Sequence, residues 1–297
     1  MIIQPSSELN AHYLACIFNS TWGQVTVAGN LVGVAQQHFN VSAAKEMIID
    51  LPPLTTQNKI AGILSNYDRL IENNTRRIEI LEEMARSLYD EWFVKFRFPG
   101  YEQTKMVDSE LGLIPENWEV GRLDDALILQ RGFDLPIKQR REGNIPIYAS
   151  TGVTGTHNEA KVKAPGVVTG RSGSLGTVIY VDEDFWALNT TLWVKEFRRV
   201  TPLYAFYLLS NLGLEQFNSG AAVPTLNRND VHSLQVVIPP HLMLEHFNYF
   251  IKPLFAMKKN LQVRNANLRR TRDLLLPKLI SGEIDVENLE IETEIAA

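Results

Sequence analysis

Cysteine is almost missing from this 297-residue chain: Cys16 is the only one. A single thiol makes neither an internal disulfide nor a Cys-rich zinc site, and its expected role is apolar filler on a short helix. No stretch reaches the roughly eighteen consecutive apolar residues of a membrane span. The opening MIIQPSSELNAHYLACIFNS also lacks a basic region followed by a long apolar run. Neither a signal peptide nor a membrane partner is expected, and the chain reads as cytoplasmic. In that compartment the Asn-x-Ser/Thr triplets at Asn19, Asn40, Asn73 and Asn189 are chance matches. Strong net charge is missing too. The balance of −5, with 45% hydrophobic and 21% charged residues, is ordinary for a chain with room for two globular cores.

Catalytic constellations are equally scarce. The glycine-rich stretch Thr169 to Thr177, TGRSGSLGT, has no Lys after its glycines and leads into a strand, which argues against a nucleotide phosphate loop. A hairpin turn suits it better, with Arg171, Ser172 and Ser174 presented outward at the tip, where Arg171 either forks onto a guanine edge in a major groove or ties the hairpin to its own domain. DLPP at Asp50 has a Leu between the acid and the prolines and no aromatic after them, so it is not an amino-methyltransferase signature. Asp134, Glu159 and Lys161 have nuclease-like spacing that recurs by chance. His241 and His246 are five apart, which does not share one helical face as a metal pair requires. No catalytic residue, metal ligand or cofactor is assigned.

What the chain does have is a long helical seam. Ile60, Leu64, Tyr67, Ile71, Asn74, Ile78, Leu81, Ala85, Leu88 and Trp92 alternate gaps of four and three, the pattern of a helix lying against another helix. A shift of 187 residues carries Pro52 and Pro53 onto Pro239 and Pro240, and carries the seam onto a second stripe. That stripe is Phe247, Ile251, Leu254, Lys258, Leu261, Asn265, Leu268, Arg272, Leu275 and Leu279. The same shift matches GVAQQHFN (Gly33 to Asn40) with GAAVPTLN (Gly220 to Asn227), and a shift of 191 matches Tyr13 with Tyr204. The repeating unit is a globular piece followed by a long helix. Asn74 at a seam position is a device for choosing one register, or else an unpartnered surface residue.

The expected fold class is α+β: a mixed α/β domain and two long helices forming an antiparallel coiled coil, preceded by the remnant of a second domain. Residues 1–53 form that remnant, with a helix near His12 to Asn19 and a strand at Met47 to Leu51; the chain is expected to begin inside a domain. Residues 54–98 are the central helix, stopped by Phe98, Pro99 and Gly100, and 99–117 a linker, with the polar stretch Val107 to Val120 outside any core. Residues 118–240 form the complete globular unit, with strands at Ile145 to Tyr148, Val167 to Thr169, Val178 to Val181, Thr191 to Val194 and Leu234 to Ile238 and a helix at Pro202 to Asn211. Residues 241–282 are the distal helix, expected to be kinked or ended at Pro253 and Pro277, and 283–297 a loose acidic tail. Eight Lys or Arg against one Asp lie between Lys252 and Lys278, a face for an acidic partner or phosphates, or simply a solvated one. Arg131, Lys138, Arg140, Thr154, Asn189 and Thr190 join the hairpin tip as polar groups suited to phosphates and base edges.

Together LPPLTTQNKIAGIL, ARSLYDEWFVKFRFPG, LGLIPENWEV, TGRSGSLGTVIYV, LNTTLWVK, GAAVPTLNRNDV and DLLLPKLISGEID closely resemble the specificity subunits of type I restriction-modification systems. The resemblance covers nearly the whole chain. It implies two target-recognition domains, each reading half of a split site in double-stranded DNA. It further implies paired helices as spacer and docking surface for methyltransferase subunits, with modification and cleavage left to those and to restriction subunits. The departure is that the first recognition domain is represented only by its last fifty or so residues, so a second copy or another polypeptide is expected to supply a reader. The alternative is a protein scaffold or regulatory subunit that no longer reads DNA.

Overall fold

The computed structural model of the chain describes residues 3–32, 38–220 and 222–289. Gly33 to Gln37 of the repeated stretch, Ala221 and the tail from Glu290 lie outside the described residues. In chain order the elements begin with α1 (Ala11–Asn19), α2 (Thr21–Gly29), β1 (Leu31–Val32), β2 (His38–Phe39), α3 (Val41–Glu46) and α4 (Leu54–Tyr89). There follow β3 (Met106–Ser109), β4 (Gly112–Pro115), β5 (Glu119–Arg122), α5 (Leu123–Ala126), β6 (Leu127–Arg131), β7 (Ile145–Ala149) and β8 (Gly152–His157). The last are β9 (Gly166–Gly170), β10 (Val178–Val181), β11 (Trp186–Ala187), β12 (Thr191–Phe197), α6 (Pro202–Asn211), α7 (Arg228–His232), β13 (Gln235–Ile238) and α8 (His241–Ile280). Two compact units result, Met1–Leu81 with Ala256–Ala297 and Glu82–Phe255, and each long helix contributes to both.

In the first unit, α1 and α2 each start on a side-chain cap, Asn10 accepting from Tyr13 N and Ser20 from Gly23 N. Tyr13, Ile17, Ile60, Ala61, Leu64, Leu279 and Val286 make its core. Gln57 is fully buried, and its side chain closes three hydrogen bonds. It donates to Glu8 O (2.9 Å) and Pro52 O (2.8 Å) and accepts from Asn10 N (2.9 Å). A buried amide with every strong demand met costs little and fixes the entry of α4.

Here α4 and α8 run antiparallel, because partners advance along one helix as they retreat along the other. Arg272 donates to Asp68 Oδ1 at 2.6 Å, and Asn74 Nδ2 to Asn265 Oδ1 at 2.9 Å. Asn265 Nδ2 in turn donates to Ile71 O and Thr75 Oγ1, both at 3.2 Å. Along the seam Ile60, Leu64, Ile71 and Leu81 are buried and Tyr67 and Ile78 half-buried, facing buried Leu261 and Leu279 and half-buried Leu268 and Leu275. Asn74 is therefore no surface residue: it is half of a polar layer inside an apolar seam.

In the second unit the seam continues with Ala85 and Trp92 buried and Leu88 and Leu254 packed against the same core. The α-helix gives way to a π turn at Asp90–Val94, earlier than the break expected at Phe98. The reason is aromatic packing. Phe93 lies 4.8 Å from Tyr204 and 4.9 Å from Phe247, ring centre to ring centre and edge-on, and Phe98 stacks on Trp118 at 5.5 Å. The main sheet has the order β10-β9-β12-β6, every neighbour antiparallel, beside a β11-β7-β8 sheet.

Three expectations need correction. The stretch read as a linker is a hairpin, β3 with β4, whose Ile114 is 4% exposed in the core with Trp118; its turn residues hid a short two-stranded pair. Met47 to Leu51 is extended but not a strand, because no described residue pairs with it, whereas β13 pairs with β5. Pro253 and Pro277 neither end nor bound α8, which continues through both. Both prolines are on the exposed face, where water can take the carbonyls they leave unbonded.

Replacing Asn265, 3% exposed, by Ala leaves Asn74 and Thr75 without their partner and should lower unfolding stability by about 1–3 kcal/mol. In denaturant titrations, exposed Asn73→Ala should stay within about 0.5 kcal/mol of the parent.

Candidate nucleic-acid interface

β12 runs antiparallel to β6 and β9, so its first residues lie beside the last residues of both. Leu192 is opposite Arg131, and Thr191 is opposite Gly170. Residues far apart in sequence thereby meet at one end of the sheet. Arg131 pairs with Asp134 at 3.1 Å, and Asn189 Nδ2 donates to the same carboxylate. Arg171 Nη1 donates to Asn189 O at 3.3 Å, and Thr190 Oγ1 accepts from Ser150 N at 3.4 Å. The exposed Arg131–Asp134 pair adds little stability, about 0–1 kcal/mol, but it holds two side chains at the surface.

The tip beyond β9 is more firmly tied down than a free hairpin. Arg171 N and Ser172 N donate to Thr190 O at 2.8 and 3.1 Å, Gly173 N donates to Pro224 O at 2.9 Å, and Leu226 N donates to Arg171 O at 2.8 Å. Arg171 and Ser172 are consequently half-buried, and of the three tip residues Ser174 alone is exposed. The expected outward presentation is corrected: the tip's backbone N–H groups needed acceptors, and a second loop supplies them. Gly170 permits the close turn, since a Cβ there would lie 1.8 Å from Ser174 O.

That second loop, Asn218 to Leu226, is a part of the site the sequence reading used only as a repeat marker. Asn218 Oδ1 accepts from both Gly220 N and Thr225 N at 2.9 Å, and Thr225 bridges Ser172. It leads into α7, where His232 Nε2 accepts from Leu129 N at 2.9 Å and so ties the loop's base to β6. Asp134, Ser150 and His232 were likewise missed as organisers. The one signal available was GAAVPTLN itself, a repeated stretch with no other use.

Lys138, Arg140 and Thr154 form a separate group. Arg140 Nη1 donates to Thr154 O at 3.2 Å, its Nε is buried without a partner, and Lys138 is exposed on the short turn Ile137–Gln139. Nearby, buried His157 accepts from Arg141 N through Nδ1 at 3.0 Å and meets Trp186 edge-on. The nuclease-like trio is divided among other duties: Asp134 serves Arg131 and Asn189, while Glu159 pairs with Lys161. Among the described residues no three His, Cys, Asp or Glu could hold a metal ion, and no helix is long and apolar enough to cross a membrane.

Residues 2–83 and 115–261 match the model of the type I restriction modification DNA specificity domain. The chain belongs to this specificity family. The MjaIX specificity subunit of Methanocaldococcus jannaschii is 31% identical over 97% of this chain and 72% of its own length. The putative MjaX specificity subunit of the same organism is 25% identical, over 86% and 63%. A crystal structure of the S subunit from M. genitalium shares the fold, with a TM-score of 0.63 at 18% identity over 92% of this chain and 73% of that one. The two matched stretches of the family model fall on the two copies of the repeat. As a specificity subunit the chain is not an enzyme.

In this specificity subunit the pKa of His232 is held below the ordinary histidine value. Burial is the main cause; Arg228, Arg122 and Arg198 push the same way and Asp124 opposes. The unfolded chain then takes up the proton more readily than the folded one, so this contribution is complete above about pH 6.5 and is lost as pH falls below it. Melting temperature should drop more steeply between pH 7.5 and 5.5 for the parent than for His232→Gln, and equal slopes would remove His232 from the loop's support.

Proposed function

We propose that the chain is the DNA-recognition component of a type I restriction-modification assembly, and that the loops at the end of the β10-β9-β12-β6 sheet read one half of a bipartite site. The convergence of Arg131, Arg171, Ser172, Asn189 and Thr190 there, in a chain of this family, carries the reading. Arg171 keeps most of its five donors for a ligand and can fork onto a guanine edge; Asn189 and Thr190 add donors and acceptors for neighbouring bases. Ser174 at the exposed tip, with Lys138, Arg140 and Thr154, suits the phosphate backbone.

Methyltransferase and restriction subunits are the proposed partners, docking through the long helices and supplying the chemistry. At 36 residues α4 is about 54 Å long, more than one DNA turn of about 34–36 Å, the length a spacer between two half-site readers needs. The domain division that goes with this reading is a recognition domain at 118–240 flanked by helices at 54–98 and 241–282.

Two substitutions separate reading from anchoring. Arg171→Ala should weaken binding to the cognate duplex by about 1–3 kcal/mol and relax preference at one base pair. Lys138→Ala should weaken all duplexes alike and lower the salt slope by about one. Equal affinity for cognate and scrambled duplexes in the parent chain, measured by fluorescence anisotropy across a salt series, would defeat the reading.

A further inference from the structure

We propose that Val223, in the Asn218 to Leu226 loop, is a base-reading residue that meets the C5-methyl group of a thymine in the half-site. This rests on the DNA reading above and adds to it a residue and the base feature that residue takes. It comes from comparing the two copies of the repeat, each within its own unit.

The copies share one loop base. In the first, β1 and β2 pair Leu31 with Phe39 and Val32 with His38. The shift of 187 carries the first pair onto Asn218 and Leu226, which form a bridge, and the second onto Ser219 and Thr225, where Ser219 N donates to Thr225 O at 2.9 Å. Both loops lead into a helix capped by the same residue type. Asn40 accepts from Ala43 N at the start of α3, and Asn227 accepts from Asn229 N at the start of α7. A tyrosine also recurs on the helix of each copy that precedes the loop, Tyr13 donating to Asp50 O at 3.3 Å and Tyr204 to Val237 O at 3.0 Å. What differs in sequence is the stretch between the paired ends, GVAQQ at 33–37 against GAAVP at 220–224, so that Val223 stands where the first copy has Gln36. A kept base with an amide in one copy and an apolar group in the other fits a reading loop, because two half-sites ask for different contacts from one scaffold.

Val223 is held firmly as well as exposed. Its side chain lies in a residue 53% exposed, yet the backbone around it is bound on both sides. Asn218 Oδ1 accepts from Gly220 N and Thr225 N at 2.9 Å, and Thr225 Oγ1 donates to Val223 O at 3.0 Å. A Cβ on Gly220 would lie 2.0 Å from Val223 O, so the turn closes only with glycine there. Pro224 O accepts from Gly173 N and Leu226 N donates to Arg171 O, which joins this loop to the tip that carries Arg171. A β-branched side chain has little rotamer freedom to lose on binding. Having no donor or acceptor, it is blind to the polar base edges, and its counterpart in a major groove is the thymine methyl.

The test uses the full chain and the duplex it selects from a randomised pool, with each thymine replaced in turn by uracil, which lacks only the C5-methyl. In competition gel shifts one replacement should weaken the parent about fourfold, the worth of one buried methyl. In Val223→Ser the same replacement should change affinity less than about 1.5-fold. Ile137→Ser, another exposed apolar residue but outside the two joined loops, should keep the parent's response. All of these positions are exposed, so the variants leave the core intact. No preference for the selected over a scrambled duplex in the parent would defeat the DNA reading and this inference with it. Preference retained with a selected site that has no thymine, with no thymine sensitive to replacement, or with the sensitivity unchanged in Val223→Ser would leave the DNA reading standing and overturn the role of Val223.

Discussion

A polar layer in an apolar seam sets the register of the paired helices. Asn74 and Asn265 satisfy each other, and Asn265 also reaches Ile71 O and Thr75 Oγ1. Sliding one helix by a turn would leave two amides buried against leucine and isoleucine, at the desolvation cost of each. Leucines alone would tolerate several registers; the amide layer tolerates one. With the register settled, Arg272 meets Asp68, and Leu279 joins Ile60 and Leu64 in one core.

The recognition unit depends on a different constraint, the obligation of backbone groups to find partners. Because β12 is antiparallel to β6 and β9, three chain segments end together, and the loops that leave them use one another as acceptors and donors. Half-burial of Arg171 is a result of this arrangement. It costs the side chain some freedom and ties its guanidinium to Asn189 O.

Duplication explains both likeness and difference between the copies. Tyrosine, carbonyl and long helix recur in the same relation, while the polar half of the second stripe, Lys258, Asn265 and Arg272, has diverged from Ile71, Ile78 and Ala85. Divergence across the seam makes the helices complementary instead of identical. A self-pairing seam would have kept the same residues on both sides.

Much of the architecture was legible along the chain. The four-three spacing, the proline pairs and the α6 boundaries at Pro202 and Asn211 depend on local periodicity, which is written in consecutive residues. The β3–β4 hairpin and the passage of α8 through Pro253 and Pro277 were not legible. Short polar strands have weak patterns, and the tolerance of a helix for proline depends on which face meets water. At the site, the sequence determined which donors exist: Arg131, Arg171, Asn189 and Thr190. Only the tertiary structure decided that they meet, that Asp134 and the Asn218 to Leu226 loop hold them, and that Arg140 and Thr154 form a group of their own. Strand pairing joins residues without regard to their separation in the chain, and no local pattern records it.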